Sequence, residues 1–126
     1  NPVVSTGGQL VGSASAAPLT VPGDSSLIIT SVVLSAFDIN PGCMGNSSVV
    51  IGDGADELAR FVVGLGRPGH SSYSNYEPVV VVNMPSGIHI PASATLTVTS
   101  TQNQQSSCND GTMNIEYTVS GYYAQA

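Results

Sequence analysis

The chain has 126 residues, enough for one domain whose core removes roughly two thirds of the unfolded surface from water. Hydrophobic residues make up 41%, which excludes a disordered acidic tail, while charged residues make up only 8%, against about 25% in ordinary soluble domains. The net charge of −6, with no lysine and only Arg60 and Arg67 as fixed cations, argues against nucleic-acid binding, because phosphate neutralisation needs cations. No apolar run approaches the ~20 residues of a membrane span, and no basic amphipathic helix appears, so no membrane partner is expected.

In chain order, Asn1–Pro18 is rich in Gly, Ser and Ala and reads as an N-terminal arm, flexible or ordered by assembly, with an uncertain edge strand near Gln9–Gly12. The main domain then runs over 19–126. It opens on a proline corner, "LTVPGDSSLIITS" at Leu19–Ser31, followed by a long strand from about Ser25 to Phe37 that is apolar on both faces in places. Shorter strands fit Ser47–Gly52, Glu57–Val63, Pro78–Val82 and Ile88–Ile90. A helix over Asp56–Val63 is the weaker alternative there, being short and flanked by glycines.

A second proline corner, "IHIPASATLTVTS" at Ile88–Ser100, repeats the first 69 positions later (Pro91 minus Pro22). Proline fixes φ and donates no hydrogen bond, so each copy is a bend followed by a core strand. Leu96 and Val98 alternate with Thr95, Thr97, Thr99 and Thr101. In the last segment Met113, Ile115, Tyr117 and Val119 alternate with Asn114, Glu116, Thr118 and Ser120. The expected fold is all-β, an antiparallel β-sandwich of jelly-roll type with seven or eight strands, in which the two corners mark two related Greek-key halves.

Cys43 and Cys108 each follow the strand that follows one corner, so both are expected in polar loops at one end of the sandwich. A disulfide between them would close a loop of about 65 residues and stabilise by about 4 kcal/mol on chain-entropy grounds. Two free surface thiols are the alternative, and a bond would indicate an oxidising or extracellular setting.

No catalytic constellation stands out. "GLGRPG" at Gly64–Gly69 matches G-x-G-x-x-G only formally, because Pro68 and a polar loop stand where the phosphate-binding helix should begin. Asp53, Asp56 and Glu57 fit no cation-loop pattern and read as a solvated turn, and neither His70 nor His89 pairs recognisably with a nucleophile or carboxylate. We expect no enzyme, no metal and no cofactor.

Interaction residues are easier to nominate. Arg67, His70, Tyr73 and Tyr76 lie in "GLGRPGHSSYSNYEP", a composition common in recognition loops. The Val79–Val82 run is too apolar for a strand with one wet face, so either it lies central or another subunit covers Val79 and Val81. Val3, Val4, Leu10 and Val11 would serve if the N-terminal arm completed a neighbour's sheet.

"VPGDSSLIIT", "ELARFVV", "GIHIPASATLTVTS" and the closing "IEYTVSGYYAQ" together resemble the small jelly-roll domains of tailed bacteriophages, found in capsid decoration (cement) proteins and fibre tips. The likeness covers the chain from Leu19 onward and departs at Gly23-Asp24 and Ala92-Ser93, where the corner glycine is shifted or missing. It implies a homotrimer of β-sandwiches bound to the major capsid protein or another shell protein on the outer capsid surface, stabilising the virion without chemistry. Two alternatives stay open. One is a receptor- or glycan-binding fibre tip using the Tyr-rich loop, and the other is an extracellular filament subunit assembled by N-terminal strand addition.

Overall fold

The computed structural model describes residues 2–37, 45–65, 78–104 and 113–126. They form eight strands: β1 (Val3–Val11), β2 (Ala14–Thr20), β3 (Ser25–Phe37), β4 (Gly45–Gly52), β5 (Glu57–Leu65), β6 (Val79–Ile90), β7 (Thr95–Gln104) and β8 (Asn114–Gln125). Two four-stranded antiparallel sheets pack face to face, the first in the order β1-β8-β3-β6 and the second in the order β2-β7-β4-β5.

That order is the jelly roll expected from the alternation. β1 pairs with β8, β2 with β7, β3 with β6 and β4 with β5, so the chain is one long hairpin folded at the β4–β5 turn. Rolling that hairpin adds the β3–β8 and β4–β7 pairings, which close the two sheets. The strands led by the two proline corners, β3 and β7, become central strands of opposite sheets.

The core lies between the sheets and is built by the period-two residues: Leu27, Ile29, Val32 and Leu34 from β3, Leu96 and Val98 from β7, and Ile115, Tyr117 and Val119 from β8, with Met113 just before it. Leu10, Val21, Ala36, Val49, Ile51, Val63 and Ile90 complete it. The buried Ser100 hydroxyl donates to Gly12 O at 2.6 Å and accepts from Ala14 N–H at 3.1 Å, so the turn from β1 to β2 is tied to β7 as it changes sheets.

Two features differ from the sequence reading, each for a local reason. The stretch 1–18, read as an arm, contributes β1 and most of β2, both full members of the sandwich. Short apolar side chains at Val4, Leu10, Ala14 and Ala16 bury too little to stand out by composition, yet they pack on the core. Pro78–Val82 and Ile88–Ile90 are two ends of the single strand β6, because Met84, Pro85, Ser86 and Gly87 are absorbed as an irregularity opposite Thr30. The same irregularity explains why β3 looked apolar on both faces. One extra residue between Ile29 and Ser31 flips its alternation, so Leu27 and Ile29 face inward before it and Val32, Leu34 and Ala36 after it. The strand read over Glu57–Val63 is present as β5, which runs on to Leu65.

At this bulge the β3 backbone swings against β8, and a Cβ on Gly121 would overlap the Ile28 carbonyl oxygen. Gly121→Ala is therefore expected to cost about 3 kcal/mol, lowering Tm by roughly 10 °C. A thermal melt within about 2 °C of the parent would contradict the tight approach. The second corner contains the opposite mismatch. Ser93 has φ +67°, a region that costs a non-glycine residue about 1–2 kcal/mol. Ser93→Gly should raise stability by about 0.5 kcal/mol once the greater freedom of the unfolded chain is subtracted, read as a small upward shift in denaturant midpoint.

Candidate functional site

Among the described residues, six large apolar side chains stand exposed, and all six lie on edge strands: Val3 and Val11 on β1, Leu58 and Val62 on β5, Val79 and Val81 on β6. Central strands expose none. The sequence left two options for the valine run, and the structure removes one of them. β6 is an edge strand, its Val80 and Val82 leaning inward while Val79 and Val81 are 53% and 61% exposed on the outer face.

The outer face of the first sheet continues from that edge. Val81 is the cross-strand partner of Val33, which neighbours Thr118, which neighbours Gly7. The next row runs Val79, Ser35, Glu116, Gln9. Glu116 is the one carboxylate carried by the four strands of this sheet. A shallow open groove of about 390 Å³ lies at the β1 side, lined by Gly7, Gly8, Gln9, Glu116, Tyr117 and Thr118. The Tyr117 ring crosses the inner side of Gly8, where a Cβ would come within 2.7 Å of its hydroxyl, so the glycine makes room for the ring.

The second sheet presents a different exterior, a field of hydroxyls. Thr95, Thr97, Thr99 and Thr101 of β7 point outward, Thr99 Oγ1 sharing a hydrogen bond with Ser15 Oγ at 2.8 Å and Thr95 Oγ1 one with Thr20 Oγ1 at 3.2 Å. Asn103 Nδ2 donates to Asn46 Oδ1 at 3.2 Å. Its charges are confined to β5, where Arg60 and Glu57 form an exposed ion pair at 2.5 Å that stabilises little in water.

The two ends of the sandwich differ as well. At one end lie both proline corners and the β4–β5 turn, with Asp24, Asp53 and Asp56. Asp53 Oδ1 accepts from Ala55 N–H at 3.0 Å and Asp56 N–H at 2.7 Å, and these backbone donors hold its carboxyl below the usual range. With Asp53 engaged by its own turn and Glu57 by Arg60, the "GDGADE" segment is a structured hairpin turn, and among the described residues no cluster of three potential metal ligands forms.

At the other end, Phe37 pairs with Asn114, and Gly45 pairs with both Gln104 and Leu65. The buried Asn114 Oδ1 has no hydrogen-bond partner among the described residues. Cys43, Cys108, Arg67, His70, Tyr73 and Tyr76 lie outside the described residues. The flanking strand ends can still be placed: Gly45, two positions after Cys43, is the direct partner of Gln104, four positions before Cys108. Of the remaining nominated residues, Val3 (85% exposed) and Val11 (54%) are free on the outer face and Val4 is half-buried. Leu10 is a correction, because it is a core residue of its own sandwich, 2% exposed and facing inward opposite Ile115.

No protein-family model matches the chain, and no curated protein does. Among solved structures, a chain of the cyanophage Pam1 capsid asymmetric unit is similar, at 14% sequence identity and a TM-score of 0.52. The similarity covers 95% of this chain and 84% of that one. At that identity the two share a fold.

The adjacency of Gly45 and Gln104 makes the cysteine pairing testable. If Cys43 and Cys108 are joined, non-reducing peptide mapping should recover them as one linked peptide, and reductant should lower stability by about 4 kcal/mol. Unchanged melting with both thiols alkylatable in the native protein would mean that they are free.

Proposed function

We propose that this chain is a non-enzymatic virion structural protein: a decoration protein that sits as a homotrimer on the outer surface of an icosahedral shell and stabilises it by bridging neighbouring capsid subunits. The observation that carries this reading is the end-to-end likeness of the sandwich to a chain of a cyanophage capsid. The surface supports it. A protein that works by packing against neighbours needs apolar area where contacts form and little charge elsewhere to repel them. Here the exposed apolar residues lie on edge strands, and 8% of the chain is charged.

Under this reading, affinity comes from buried area multiplied by copy number rather than from a pocket. Each site is weak, and a trimer whose three sites engage one shell gains from effective concentration. Val79, Val81 and the half-buried Val33 beside them form the patch best suited to a shell contact, being a continuous apolar stripe whose only charged neighbour on that sheet is Glu116.

The test is cosedimentation of labelled chain with shells assembled from the major capsid protein encoded in the same genome. Saturable binding with three-fold symmetric density on the shell would support the proposal. Val79→Lys/Val81→Lys should weaken it about tenfold or more, since two valines lose their buried area at about 25 cal/mol per Å² while folding is untouched at these exposed sites. Absence of binding at saturating chain would defeat the decoration reading.

A further inference from the structure

Each sheet has two edges, and an exposed edge is a template for another strand unless something blocks it. Three of the four are blocked. β2 breaks register between Ala16 and Leu19, where Pro18 lies. β5 is interrupted opposite the Ile51–Gly52 step and carries Glu57 and Arg60. β6 contains Pro85 inside its irregularity. β1 has none of these devices: nine residues, no proline, no charge, and unbroken register from Val3↔Tyr122 to Val11↔Asn114.

The free groups of β1 can be identified. Tyr123 N–H donates to Pro2 O at 3.0 Å and Gly12 N–H to Met113 O at 3.1 Å, so the even-numbered residues direct their backbone groups at β8. Val3, Ser5, Gly7, Gln9 and Val11 therefore turn theirs to the edge, where no other described strand pairs with β1, and the same five face away from the core. Antiparallel pairing of this edge with itself, centred on Gly7, matches free donors to free acceptors along the whole strand. It sets the exposed Val3 opposite the exposed Val11 of the other copy, Ser5 opposite Gln9, and glycine opposite glycine on the two-fold axis.

We infer that β1 is a self-association edge, joining the first sheets of two copies into one continuous eight-stranded sheet. Charge supports a second copy as the occupant. A chain of net charge −6 resists its own kind, yet β1 carries no charge. The nearest carboxylate, Glu116, stands beside Gln9, so the two-fold sets the copies' Glu116 side chains three strands and four residues apart. By strand spacing and rise that is roughly 19 Å, beyond the screening length of about 8–10 Å. The pairing buries less than a standard interface, so it is weak alone and becomes effective where a surface concentrates the chains. It stands independently of the shell proposal, since it concerns the isolated chain.

Sedimentation equilibrium of three forms tests it, at chain concentrations up to about 1 mM, a typical effective concentration for tethered partners. The parent should associate in even-numbered steps. Val3→Lys/Val11→Lys, at exposed positions where circular dichroism should stay unchanged, places like charges opposite each other at both ends. It should raise the dissociation constant about tenfold at low salt. Val3→Lys/Val11→Glu puts opposite charges across the same register and should restore association to within about threefold of the parent. Rescue by the second variant specifies the Gly7-centred register. A parent that stays monomeric throughout, a trimer that adds nothing further, or association equal in all three forms would each overturn the inference.

Discussion

Val21 holds the two halves of the chain together. Its N–H donates to Ala94 O at 2.9 Å and its carbonyl accepts from Ser93 N–H at 3.0 Å, so the corner before β3 is hydrogen-bonded to the corner before β7. Each corner also closes on itself, Ser25 N–H donating to Pro22 O and Ala94 N–H to Pro91 O, both at 3.2 Å. From this shared point β3 departs into the first sheet and β7 into the second. Val21 is itself 1% exposed, which keeps the exchange out of competition with water. The repeated phrase is thus one joint made from two similar pieces, and it sets which strand enters which sheet.

The surface follows from that winding. Central strands β3, β8, β4 and β7 are covered on both sides by neighbours, and their outward residues are mainly small and hydroxylated. Edge strands have one unpaired side, and there the chain keeps its exposed valines and Leu58. The outer face of the second sheet, where Thr95 and Thr99 bond across to Thr20 and Ser15, offers hydroxyls and almost no charge. It is suited to remaining in water without attracting ions.

Much of the fold was legible in the sequence because alternation in β7 and β8 is clean and long. Proline marked both corners because its fixed φ and missing donor leave it few other places. The bulge was hidden, since nothing in "LIITSVVL" says which residue is extra until β8 and β6 set the register on either side. β1 and β2 were hidden for another reason. Their inward residues include Gly8, Ala14 and Ala16, and glycine and alanine carry too little apolar area to declare a face. The pattern Val4, Thr6, Gly8, Leu10 was still a period-two signal, and Leu10 was its anchor.

Composition and periodicity by themselves determined an all-β sandwich with two similar proline corners and a chain poor in charge, because these depend on residue type and local spacing. Only the tertiary structure decided which strands became edges. That question turns on pairings between residues as distant as Val3 and Tyr122, whose registry no local pattern encodes. It is also why Val79 and Val81 could be read two ways in sequence and only one way in the fold. The same hydrophobic run could sit buried in a central strand, but on the edge strand β6 Val79 and Val81 stand exposed.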